Sequence, residues 1–280
     1  MKNRATVKSL SLFLSFVFLL FSFPVSVFAN DSTAPAEEQI TQEQTTDAQE
    51  TLPETNLTAT PASTALTPKP GDKTIDELQA MTFDAAAMPE FVNMDVAEEK
   101  EHVNRLTAQE NGLNTVIYQN RDGSKSVYIF SNPVKYIDSS GNIKDKSSKI
   151  KAVSSTTYSY AMTDNSTKVF FPKSISDGTH LSFSDTYSIK MTPKNPEASA
   201  PVLGNDGKIS YNGVFGRNTL LVYETKLNGL KEDIVLVKNI GVNEFEFEVE
   251  TSLVPTLADG VWYFVNERGV RIASLGDIII

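Results

Sequence analysis

The sequence predicts a mainly β protein: an antiparallel β-sandwich or two packed sheets, with short N-terminal helices and a disordered linker ahead of it. Three observations carry the prediction. Beyond Leu113, Val, Ile, Tyr, Phe and Thr alternate with polar residues in short runs, the pattern of strands with one wet and one buried face. Each run is closed by a cluster of Gly, Asn or Asp, as neighbouring strands joined by tight turns require. The 280 residues contain no cysteine, so a packed core rather than disulfides must hold the fold.

Residues 1–29 come first. Lys2, Arg4 and Lys8 precede an apolar run from Leu10 to Phe23, followed by Pro24 and by Val27-Phe28-Ala29. This is the layout of a cleavable secretion signal, with cleavage expected between Ala29 and Asn30. The apolar run of about 14 residues falls short of the roughly 20 that cross a bilayer as a helix. Every later apolar stretch is broken by polar residues, so no membrane contact is expected after cleavage, and the chain is expected to be secreted, extracellular or cell wall-associated. An exported chain without cysteine suits a Gram-positive bacterium, and there the sequons Asn56-Leu57-Thr58 and Asn165-Ser166-Thr167 lose their meaning.

Losing Lys2, Arg4 and Lys8 takes the formal net charge from −10 to −13. Nucleic acid is thereby excluded as a partner, since binding it needs lysines and arginines to displace phosphate counterions. Residues 30–73 are rich in Thr, Ala, Glu, Gln and Pro, with no aromatic residue and no sustained apolar period. Such a composition cannot offset the entropy of ordering and predicts a disordered, extended spacer. Residues 74–112 open on the capping pattern Thr74-x-x-Glu77 and carry an acidic run from Asp95 to Glu101 ending near Arg105, which predicts one or two short helices.

Residues 113–280 hold about a dozen expected strands. Thr115 to Gln119 leads through Asn120-Arg121-Asp122-Gly123 into Ser126 to Phe130, and Val134 to Ile137 leads through Asp138 to Asn142 into Ile143; each reads as a hairpin. Further strands are expected at Lys168 to Phe171, Leu181 to Phe183, Tyr187 to Thr192, Lys208 to Tyr211, Thr219 to Glu224, Asp233 to Val237, Glu244 to Glu250 and Val261 to Val265, the last closed by a turn at Asn266 to Gly269. Alternation is clearest from Glu244 to Glu250, where four glutamates point one way and Phe245, Phe247 and Val249 the other. At the end, Ile278 to Ile280 are expected either to form a last edge strand or to mark the front part of a longer protein.

Two segments resemble a known family. Pro133-Val134-Lys135-Tyr136-Ile137-Asp138-x-x-Gly141-Asn142-Ile143-Lys144-Asp145 is similar to a stretch near the start of secreted Gram-positive RHS/YD-repeat and DNRLRE-domain wall-associated proteins. Ile209 to Leu236 resembles a later segment of the same family through Tyr211, Val214-Phe215, Leu220 to Tyr223 and Gly229 to Leu236, and Glu244 to Phe247 and Gly260 to Gly269 continue it in order. The likeness spans roughly residues 88 to 275. It departs at Thr219, where the family has an acid, at Ile143, where it has an aromatic, and in the lack of any YD repeat downstream. The resemblance implies an N-terminal β module that stands ahead of a repeat shell and is not the active part.

Candidate chemistry is sparse. Leu52-Pro53-Glu54-Thr55-Asn56 approaches a sortase signal but lacks its glycine and its C-terminal apolar tail. Glycoside cleavage needs two carboxyl groups about 5 to 10 Å apart; Glu224, Glu232 and Asp233 read instead as turn and edge residues, and Glu246 and Glu248 as a solvated face. His102, placed in the charged helix, and His180, placed in a turn, both read as exposed and inert, with no nucleophile elbow and no metal-spaced neighbour. The oxygen-rich loops at Asp138 and Asn120 fit hairpin turns rather than a calcium loop. Trp262 and Phe264 are expected in the core, with Tyr263 pointing the other way.

The leading expectation is therefore a non-enzymatic extracellular β module of an RHS-like wall-associated protein, structural or presentational, without cofactor or metal. Its partners would be the cell wall or a downstream RHS-repeat shell. The alternative is a secreted β-sandwich that binds or cleaves carbohydrate, recognisable by an exposed aromatic strip or by two close carboxylates.

Overall fold

The computed structural model describes residues 21–22, 67–242 and 244–276. The expected cleavage site at Ala29 and Asn30, the spacer over most of residues 30–73, the Leu52 to Asn56 motif and the Ile278 to Ile280 strand lie outside these. The fold is mainly β, with several antiparallel sheets packed together and a few short helices, as the sequence predicts.

Residues 70–147 build a small lobe. Helix α1 (Ile75–Ala80) starts at the predicted capping box: Thr74 Oγ1 accepts from the Glu77 amide at 3.3 Å, and Glu77 Oε2 accepts from the Thr74 amide at 2.8 Å. Its last carbonyls are covered by Arg121, whose guanidinium donates to Met81 O at 2.6 Å and Gln79 O at 3.1 Å. Helix α2 (Met94–Glu99) is capped by Asn93 Oδ1 and buries Ala97. The acidic run does not carry the helix to Arg105: the chain turns at Glu101, with φ 51°, and enters strand β2 (His102–Arg105). β2 pairs with β3 (Thr115–Asn120), which pairs with β4 (Lys125–Ile129). The helical segment and the first strands thus share one core, Val92, Ala97, Val116, Tyr118 and Val134, across residue 113. The predicted second hairpin follows as β5 (Lys135–Ile137) and β6 (Ile143–Asp145). Its turn is held by Asp138 Oδ1, which accepts from the Ser140 and Asn142 amides at 2.9 Å, and by a Lys144 ion pair at 2.9 Å.

The sandwich follows. One sheet has six strands in the order β16-β11-β10-β9-β8-β7: β7 (Lys151–Ala152), β8 (Tyr158–Met162), β9 (Lys168–Pro172), β10 (Thr179–Ser182), β11 (Ser188–Pro193) and β16 (Phe247–Thr251). The facing sheet runs β12 (Pro201–Leu203), β13 (Ile209–Asn212), β14 (Thr219–Lys226) and β15 (Gly229–Leu236). A third sheet contains β17 (Val254–Ala258), β18 (Val261–Val265) and β19 (Arg271–Ser274); the two-residue β1 (Phe21–Ser22), inside the expected signal, pairs with β19.

Alternation sets the packing. Along β14, Thr219, Leu221, Tyr223 and Thr225 are buried while the residues between them are not. From the six-stranded sheet, Val169, Phe171, Leu181, Ile189 and Met191 meet Ile209, Tyr211, Leu221, Tyr223 and Ile234, and Phe264, Ile272 and Ala273 close one side. The Glu244 to Glu250 alternation holds, with Phe245 buried and Phe247 and Val249 packed on the core, although the strand proper starts at Phe247. Trp262 is only half-buried, whereas Phe264 is in the core.

Candidate functional site

Two surfaces bring chemically useful groups together. The first is on the outer face of the six-stranded sheet. Because Val169 and Phe171 point inward on β9, and Thr179 and Leu181 do so on β10, Phe170 and His180 point outward. Register places Ala161, Phe170, His180, Lys190 and Glu250 side by side across five strands. A bulge in β8 between Tyr158 and Tyr160 brings the Tyr158 ring onto this row. Ring centroids lie 5.3 Å apart for Tyr158 and Phe170, 5.8 Å for Phe170 and His180, and 6.3 Å for Tyr158 and His180, and the last two pairs are near-parallel. The Tyr158 hydroxyl lies 3.4 Å from His180 Nδ1, and Lys190 pairs with Glu250 at 2.8 Å.

All three rings are half-buried, which leaves part of each to solvent. Burial, with Lys190 adding to it, holds the His180 imidazole below its ordinary range, so near pH 7 the ring is neutral. Glycine is required two residues before it: Gly178 has φ +79°, and a Cβ there would collide with Thr192 Oγ1. The result is an apolar ring surface bordered by a charged pair, suited to stacking against the C–H face of a planar or ring-shaped ligand with hydrogen bonds at its edge.

The second surface is a cleft of about 400 Å³ where the lobe meets the sandwich. Residues 87–90 form one wall, Tyr136 and the β6 end another, and Lys146, Ser147 and Lys149 with Asp164 the rest. Next to it, the lobe is tied together by a buried charge network. Glu110 receives Arg105 at 2.8 Å, Lys135 at 3.0 Å and the Ile117 amide at 3.2 Å, and Arg105 also grips Asp145. Burial alone would raise the Glu110 carboxyl, but Arg105 and Lys135 together hold it below its ordinary range.

Most acids weighed as catalytic fall apart as pairs. Glu224 is outward and pairs with Lys226 and Lys208, Asp233 pairs with Lys231 at 3.0 Å, and Glu246 pairs with Lys194 at 2.6 Å. Glu232 departs from its edge reading: it is 1% exposed, facing its cross-strand partner Tyr223 inside the sandwich. Tyr223 brings its hydroxyl toward it, and Thr179 brings its own toward Tyr223, yet none of these oxygens reaches hydrogen-bond geometry. Burial pushes the Glu232 carboxyl up to about 8. The histidines also differ from expectation. His102 is fully buried on β2, its Nε2 2.7 Å from the Tyr128 hydroxyl, and His180 is on a strand rather than in a turn. Asn165 is buried, donating to Leu227 O at 2.9 Å. Among the described residues no group of three or more His, Asp or Glu is arranged to hold a metal, and no helix is long and apolar enough to cross a membrane.

Sequence reasoning missed both surfaces. Pairing β8, β9 and β10 by their inward residues would have aligned Phe170 with His180, but β8 was not foreseen. The cleft draws on four separated segments and has no spacing signal. No family model, no curated protein and no solved structure matches the chain.

Proposed function

We propose that this chain is a non-enzymatic extracellular β module, akin to the N-terminal module of RHS-like wall-associated proteins, with a structural or presentational role. The reading rests on where the resembling segments fall. Pro133 to Asp145 forms the hairpin whose Lys135 and Asp145 anchor the buried charge network, and Ile209 to Leu236 forms three strands that supply Ile209, Tyr211, Leu221, Tyr223 and Ile234 to the sandwich core. Those residues build a frame. Expressing the tagged full chain in a Gram-positive host tests the reading. A chain starting at Asn30 in the wall or medium fraction, with no turnover of wall polysaccharide, is expected; a cytoplasmic chain starting at Met1, or measurable hydrolysis, overturns it.

The Tyr158, Phe170 and His180 row favours a second reading, in which the module holds carbohydrate on its six-stranded sheet. Affinity electrophoresis in wall polysaccharide checks it. Y158A and F170A should each weaken retention about tenfold, as the loss of roughly 1.4 kcal/mol of stacking implies. Unchanged migration of both variants removes this reading.

A further inference from the structure

Lys146 occupies an unusual position. It is 5% exposed at the lobe–sandwich junction, and its amine donates to the Asn228 side-chain oxygen at 3.1 Å. Among the described residues it has no carboxylate partner. An ammonium has three donors, and a buried one with a single neutral acceptor is far from satisfied. Burial accordingly lowers the amine to about 8.

Its surroundings form the cleft described above, and their charges are unevenly spoken for. Asp145 is held by Arg105, Asp164 by Lys151, and Lys144 by Asp138. Glu90, exposed on the wall, accepts from the Ser148 amide. Lys149, like Lys146, has no carboxylate within reach among the described residues. Lys146, buried, and Lys149, exposed, therefore line a cleft shared with Glu90, Asp145 and Asp164, and neither lysine has an ion-pair partner among the described residues. A volume of about 400 Å³ exceeds what a bare oxyanion fills and lies within the usual range for small-molecule sites.

We propose that this cleft binds a small oxyanion-bearing ligand, a phosphate or carboxylate carried on a sugar or polyol, with Lys146 and Lys149 taking the anionic group. Tyr136 and Ser147 stand in the same lining to meet hydroxyls of the ligand body. This goes beyond the structural reading and is independent of the aromatic row.

The test is titration of the purified chain with glycerol 3-phosphate, glucuronate, inorganic phosphate and neutral glucose. The oxyanions should bind saturably and compete with one another, and glucose should not. K146M, which keeps the stem and removes the charge, should weaken binding about tenfold or more, the scale of one lost charge interaction. In the unmodified chain, binding should fall between about pH 7 and pH 9 as the Lys146 amine, near 8, gives up its proton; that profile needs no variant to fold. Absence of any preference for oxyanions over glucose, or K146M binding as well as the parent chain, overturns the proposal.

Discussion

Two buried residues of opposite type set the pH response of the folded state. Glu232 keeps its proton up to about 8 in the fold, whereas an ordinary glutamate in the unfolded chain loses it near 4.5. Between those values the folded state binds more protons, so stability falls as pH rises. Lys146 works in the other direction. Folded, it sheds its proton at about 8, but unfolded only near 10.5, so stability recovers over that upper window. Urea unfolding across pH should therefore pass through a minimum near pH 8, with a descending limb on the order of a few kcal/mol. E232Q should flatten the descending limb and K146M the ascending one. A profile without a minimum, or one that E232Q leaves unaltered, would mean that these groups titrate normally and that the junction and core admit water.

At the scale of elements, the lobe depends on Glu110. This carboxylate is 3% exposed and joins β2, through Arg105, to the β5–β6 hairpin, through Lys135. Truncating it strands Lys135, itself 3% exposed, as a buried cation without its partner. E110A should cost about 3 to 5 kcal/mol, whereas K135M leaves Glu110 its Arg105 bond and should cost less. Equal losses in urea titrations of the two variants would show that Lys135 finds a replacement acceptor. The sequence could reveal part of these elements and not the rest, for identifiable reasons. β3, β4, β9, β11, β14 and β15 announce themselves because one face is buried and one is wet, and the alternation survives in the composition. β12 and β17 each contain a proline and give only a weak strand signal. β2 follows an acidic run that reads as continuing helix, and only the left-handed turn at Glu101 breaks it. Glu232 looks like a surface acid because its neighbours Lys231 and Asp233 are charged; alternation along β15 turns it inward, where local composition gives no hint of a buried carboxyl.

The molecule as a whole has two cores rather than one. The sandwich buries a large apolar cluster drawn from three sheets, whereas the lobe's cluster is a handful of residues around Val116 and Tyr118. The hydrogen bonds that join them are Lys146 to Asn228 at 3.1 Å and the Ser147 amide to Asp164 O at 2.7 Å, with the Thr225 hydroxyl donating to Ser148 O at 2.6 Å just past the lobe's last residue. Hydrogen bonds of this kind contribute about 1 kcal/mol each, far less than the apolar burial inside either core. The lobe should therefore open at a lower free energy than the sandwich. In native-state hydrogen exchange, amides of β3 should exchange through an opening smaller than the one that exposes β14, with a weaker dependence on denaturant. N228A removes the acceptor of Lys146 at the junction; it should speed exchange in the lobe and leave β14 near its original rate. If β3 and β14 instead share one opening free energy and one denaturant slope, the polar junction couples the cores as firmly as apolar packing would, and the lobe is a part of the sandwich's cooperative unit.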